Sequence, residues 1–130
     1  MSPVAFLTVE DVLNVHRRVV EEFGGDTGLR DRGLLESAVA MPRSTFGGEE
    51  LHTDLAEQAA AYFFHLWANH PFVDGNKRAA VVTAELFLLV NDQELVADDD
   101  SIEELAMGVA GGGLSKAQVI AFFKAHVAQS

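Results

Sequence analysis

The residues best equipped for chemistry stand in one run, His70-Pro71-Phe72-Val73-Asp74-Gly75-Asn76-Lys77-Arg78. An imidazole, a carboxylate, an amide, an ammonium and a guanidinium fall within nine positions. Pro71 and Gly75 force a loop, and Asn76 then opens a helix whose first N–H groups have no intrahelical acceptors. Such a helix start favours an anion. Lys77 and Arg78 occupy its first turn, where the helix dipole disfavours cations by a few tenths to about 1 kcal/mol, and their position points to an anion that compensates them. A phosphate chain suits all three features, being matched to backbone donors, a point charge and a planar fork. A carboxylate such as Asp74 beside phosphates is how Mg²⁺ is commonly held, since the ion completes its shell with phosphate and water oxygens. His70 is the one group of the loop that takes a proton near neutral pH. A hydroxyl attacking phosphorus must lose one, so His70 is the candidate general base. Phe72 is the apolar member and is read as the anchor of the loop in the core.

The elements that must position this loop are helical. Residues 8 to 23 set Val12, His16, Val19 and Phe23 along one stripe, with Thr8 as N-cap and Gly24-Gly25 as stop. Asp31 caps a shorter helix carrying Leu34, Leu35, Ala38 and Val39, which Pro42 ends. Residues 42 to 50, PRSTFGGEE, read as a loop. Thr53 opens a strong helix through Asn69, with Tyr62, Phe63, Leu66 and Trp67 on its apolar side. The helix from Asn76 to about Val90 is apolar nearly all round and is expected at the centre of a bundle. A short extended piece through Leu95 and Val96 leads to two final helices, with capping-box spacings at Ser101/Glu104 and Ser115/Gln118. No alternating run is long enough for a confident strand. These readings predict an all-α fold, a compact single-domain bundle of about six helices over residues 1–130, with the active loop between two central helices.

Composition bounds the function. At 130 residues the chain is about one domain, and 48% apolar content suffices for a real core. The net charge of −11 disfavours direct nucleic-acid binding. The absence of cysteine removes thiolate chemistry and Cys-ligated zinc. Neither a secretory signal nor a bilayer-spanning stretch is visible, which predicts a cytoplasmic protein with no membrane partner. Gly111-Gly112-Gly113 lacks phosphate-loop spacing, Asp98-Asp99-Asp100 fits a helix start, and His16, His52 and His126 form no cluster in sequence.

Taken singly, each motif residue has an ordinary explanation as turn, cap or solvated face. Together they resemble the signature of the Fic/Doc superfamily, His-x-Phe-x-Asp/Glu/Asn-Gly/Ala-Asn-x-Arg between two helices. The segment from Gly25 to Pro42 also resembles the region upstream of that motif in Doc-type proteins. The resemblance implies that His70 accepts the proton of a target hydroxyl and Asp74 binds metal. It further implies that Gly75 with Asn76 holds phosphates and that Arg78 contacts a distal phosphate. Lys77 discriminates, because family members that transfer AMP usually carry Gly there, whereas Doc toxins carry Lys and are implied to present the γ-phosphate of ATP. The implied function is a Doc-like toxin that moves the γ-phosphate of Mg-ATP to a Ser/Thr hydroxyl, the suggested target being the translation elongation factor that delivers aminoacyl-tRNA. The alternatives are AMP transfer to a protein hydroxyl and a non-catalytic helical binding module. The self-blocking pattern Ser/Thr-x-x-x-Glu-Gly/Asn of many relatives has no complete match, since the stretch from Thr45 fails at Glu50. Inhibition by an antitoxin of the prevents-host-death type is therefore expected. Phe46, in the loop that corresponds to a substrate flap, is a candidate target contact.

Overall fold

A computed structural model describes residues 3–129, apart from the side chain of Phe46. The first helix, α1 (Val9–Phe23), starts on a reciprocal capping box. The Thr8 hydroxyl accepts from the Asp11 N–H at 3.1 Å and the Asp11 carboxylate accepts from the Thr8 N–H at 2.8 Å. It stops at Gly24, whose φ of 84° lies in the region glycine enters freely. Asp31 caps α2 (Arg32–Ala40), and a 3₁₀ turn at Met41–Arg43 follows, with Pro42 near its start. Then come α3 (Leu55–Asn69), α4 (Asn76–Val90), α5 (Asp99–Ala110) and α6 (Lys116–His126). The architecture is all-α, six helices with only short strands among the described residues.

Two small antiparallel pairs complete the chain. Within the stretch read as plain loop, β1 (Thr45–Phe46) pairs with β2 (Glu49–Glu50) across Gly47-Gly48, both at positive φ. That combination makes a tight hairpin turn. The extended piece after α4 is β3 (Gln93–Leu95), and it pairs with β4 (Val127–Gln129) in the register Leu95↔Val127. Two helix starts differ from expectation. Asp54 rather than Thr53 caps α3, its carboxylate accepting from the Glu57 N–H at 2.8 Å. Asp98 rather than Ser101 caps α5, accepting from the Ser101 N–H at 2.7 Å. In both cases the aspartate reaches the third N–H of the helix with a charged acceptor, which outcompetes a nearby hydroxyl.

The core lies where α3 packs on α4, with α2 and α6 against α3 and α1 against α4. Ala59, Ala60, Ala79, Ala80 and Ala84 are fully or almost fully buried, and these small side chains let the two helices approach closely. Tyr62, Phe63, Phe87 and Phe123 fill the space around them. The Tyr62 hydroxyl accepts from the Leu7 N–H at 2.9 Å, and burial pushes its pKa up to about 12. The apolar pattern of α4 overstates its enclosure, because Val82, Leu89 and Val90 remain exposed. Among the described residues no helix is long and apolar enough to cross a membrane.

Candidate active site

The loop from His70 to Gly75 joins α3 to α4, so both helices of the core aim their ends at it. His70 is the C-cap of α3 and adopts a left-handed conformation, φ 47°, ψ 57°. That conformation is uncommon for a residue with a side chain. Arg30 holds it from outside the helix. Its Nε donates to the His70 carbonyl at 2.7 Å and its second guanidinium nitrogen to the Asn69 carbonyl at 2.8 Å. These are C-terminal carbonyls that α3 itself cannot satisfy. The exposed His70 ring stacks on Trp67, centroids 4.5 Å apart and planes 27° apart.

The middle of the loop is clamped on both sides. The backbone N–H groups of Arg30 and Asp31 donate to the Pro71 carbonyl at 2.7 and 3.0 Å, and that of Val73 donates to the Gly28 carbonyl at 3.0 Å. Leu29 and Phe72 form an antiparallel bridge. Phe72 is only 2% exposed, and its ring lies flat on His16, centroids 3.7 Å apart. His16 Nε2 lies 2.7 Å from the carbonyl oxygen of Asp74, so the bond requires the tautomer that carries its proton there. The Asn76 side chain closes the loop from the other end, accepting from the Phe72 N–H and donating to the Phe72 carbonyl, each at 2.9 Å. This leaves only the backbone N–H of Asn76 to offer an anion.

Asp74 is exposed, and its Oδ2 accepts from the Asp26 N–H at 2.9 Å. Gly25 makes that approach feasible: a Cβ there would sit 3.2 Å from the Asp74 Cβ, at a φ of 112°. Among the described residues Asp74 Oδ1 has no hydrogen-bond partner, and no three His, Cys, Asp or Glu side chains gather to hold a metal. A divalent cation at Asp74 would therefore complete its shell with phosphate and water oxygens, as Mg²⁺ prefers. Gly75, the N-cap of α4, is left-handed at φ 77° and makes no side-chain cap, so the first N–H groups of α4 face the loop without a side-chain acceptor.

The two cations that follow have protein partners. Lys77 Nζ donates to both carboxylate oxygens of Glu103 on α5, at 2.8 and 2.9 Å. The Arg78 guanidinium lies over the exposed Phe23 ring, 3.7 Å from its centroid. Both line a groove of about 520 Å³ between α4 and α5 that also takes in Glu85 and Asp99. Burial, and then the neighbouring Asp99, push the Glu85 pKa above the usual carboxylate range. A groove of about 660 Å³ between residues 3–5, the start of α3 and the end of α4 contains no motif residue, so the chemistry favours the smaller one. The Phe46 side chain, the flap candidate, lies outside the described residues.

Sequence reasoning missed His16, Asp26, Arg30, Trp67 and Glu103. For His16 a signal existed: it sits on the apolar stripe of α1, where a buried imidazole needs a hydrogen-bond partner. Asp26, Arg30 and Glu103 reach the site from separate segments and carry no local signal. Trp67 precedes His70 by three residues on α3, so its place on the apolar side of that helix was legible while its stack on His70 was not.

What this arrangement can do is hold an anion at the start of α4, a cation at Asp74 and a proton at His70. Comparison with known proteins agrees on ancestry. The Fic/DOC family model matches residues 6–88, from α1 through most of α4. "Toxin Doc" of Mycolicibacterium smegmatis is 43% identical over 95 residues, covering 73% of this chain and 71% of the relative. "Protein kinase doc" of Escherichia phage P1 is 32% identical over 113 residues, covering 87% and 88%. With its motif loop between two core helices and its match to the family and to both relatives, the chain belongs to the Fic/DOC family.

Proposed function

We propose that this protein is a Doc-type toxin that transfers the γ-phosphate of ATP to a serine or threonine hydroxyl of a protein target. The observation that carries this reading is the loop itself: a base at the end of α3, a carboxylate beside it, and the bare start of α4 followed by Lys77 and Arg78. The names of the two relatives, a toxin and a protein kinase, support it.

In this mechanism the backbone N–H groups at Gly75 and Asn76, with Lys77 and Arg78, bind and orient the phosphates. Asp74 would hold Mg²⁺ through the oxygen that Asp26 leaves open. When bound, the ion supplies charge neutralisation on the phosphate oxygens. The target hydroxyl oxygen bonds to the γ-phosphorus, the bond from that phosphorus to the bridging oxygen breaks, ADP leaves, and the hydroxyl proton passes to His70. The rate then rests on positioning and on the charges that the start of α4 presents. Lys77 must exchange Glu103 for phosphate as the nucleotide arrives.

The target suggested by family resemblance is the elongation factor that delivers aminoacyl-tRNA, and the setting is the cytoplasm. Control in trans by an antitoxin of the prevents-host-death type fits the chain. The partial self-blocking match from Thr45 falls in the β1–β2 hairpin rather than on a helix. ATP labelled at the γ-phosphorus should label the target and ATP labelled at the α-phosphorus should not. Label from the α position would replace phosphate transfer with AMP transfer. Growth arrest that is equal for the wild type and His70→Ala would favour a non-catalytic binding module.

A further inference from the structure

The base of the proposed reaction lacks the support such a group normally has. A general base is usually oriented by a third group that hydrogen-bonds its ring. Among the described residues none does this for His70. Arg30 fixes the His70 backbone, but its bonds end on carbonyl oxygens and leave the side-chain torsions free. What meets the ring is the face of Trp67, stacked on it with centroids 4.5 Å apart and planes 27° apart.

The indole is itself held in place. Trp67 stands in the last turn of α3, and its Nε1–H donates to the carbonyl of Ala106 on α5 at 2.8 Å. Ala106 is fully buried, so this anchor does not move with solvent. Helix α5 lies beyond the residues that the family model matches.

We infer that Trp67 is a positioning residue that sets the His70 ring for proton transfer, its plane fixed from α5 through Ala106. Two physical effects contribute. The flat contact restricts the ring of an exposed side chain to one face of the indole, which favours the geometry required for attack. The negative face of the indole also attracts the positive ring formed when the proton arrives. The inference rests on the phosphotransfer reading for its kinetic consequence, and on the stack alone for its spectroscopic one.

Trp67 is the only tryptophan of the chain, so its fluorescence reports on this contact without interference. Contact with an imidazole quenches the emission of an indole. The full-length wild type should therefore emit less than His70→Gln under the same conditions. Equal emission from the two folded proteins overturns the stack. In transfer assays Trp67→Leu should lower kcat by about 10- to 100-fold with KM for ATP little changed, and Trp67→Phe, which keeps a flat ring, should restore part of that loss. If Trp67→Leu retains full kcat, or if kcat and thermal stability fall and KM rises together with no rescue by Trp67→Phe, the residue is structural and the inference fails. Should Trp67→Leu not fold, the comparison of wild type with His70→Gln still decides it. A wild type that transfers no phosphate sinks the proposed reaction, while the fluorescence comparison separately reports whether the stack exists.

Discussion

At residue 70 the chain takes a conformation that a side chain disfavours, at a cost of about 1–3 kcal/mol when it is held by its surroundings. Arg30 is what holds it, with two charged hydrogen bonds to consecutive carbonyls. Arg30→Met keeps most of the stem and removes both bonds. It should cost about 1 kcal/mol of stability, and it should reduce kcat more than KM because His70 loses its fixed backbone. Thermal melting and steady-state kinetics check this, and unchanged values for both would show that Arg30 is an ordinary surface residue. The catalytic candidates were legible in sequence because they are contiguous. Their supports were not, because His16 lies 58 residues from Asp74, Asp26 lies 48 from Asp74 and Arg30 lies 40 from His70. Only folding brings these residues together. Asn76 shows the complementary limit: its type suited a phosphate site, yet its side chain is used to close the loop on Phe72.

Among the elements, α5 reaches the site from outside the motif. It meets Trp67 near the end of α3 through Ala106 and Lys77 at the start of α4 through Glu103. The Lys77–Glu103 pair is partly exposed, and pairs of that kind contribute up to about 1 kcal/mol. A phosphate must displace Glu103 to reach Lys77, so Glu103→Gln should lower KM for ATP by about two- to fivefold, the fold-change equivalent to that energy. A raised KM would show instead that Glu103 holds Lys77 in its working position. Helix existence followed from periodicity and caps, as at Thr8, Asp31 and Ser115. The exact starts of α3 and α5 did not, because two capping residues competed within a few positions. The strands escaped detection for a different reason: β1 and β2 have two residues each, and β3 finds β4 only at the far end of the chain. Such pairing leaves no alternation to read.

The whole molecule carries a charge of −11, yet its acids are unevenly placed and the start of α4 keeps its cations. The excess argues against a nucleic-acid surface without arguing against ATP. A second polar region lies away from the loop, around His52, Gln58, His65 and Lys116. His52 Nδ1, Gln58 Oε1 and His65 Nε2 are buried there without partners among the described residues. Burial, then Lys116 and His52, hold the His65 pKa down to about 4, and burial with Lys116 lowers that of His52. A histidine with a lower pKa folded than unfolded leaves the unfolded chain binding more protons between the two values, so stability rises with pH in that window. Stability should therefore fall as pH drops from 6.5 toward about 4. Glu85, raised by burial, acts in the opposite sense. The His65 contribution is thus the difference between wild type and His65→Leu in urea midpoints measured across that range, and parallel curves for the two proteins would contradict it. The central claim concerns the loop that the whole fold positions. Its most direct test is the intact mass of the aminoacyl-tRNA-delivering elongation factor after incubation with this protein and Mg-ATP. One added phosphate is expected with the wild type and none with His70→Ala; an added AMP, or a phosphate that still appears with His70→Ala, would overturn the phosphotransfer reading.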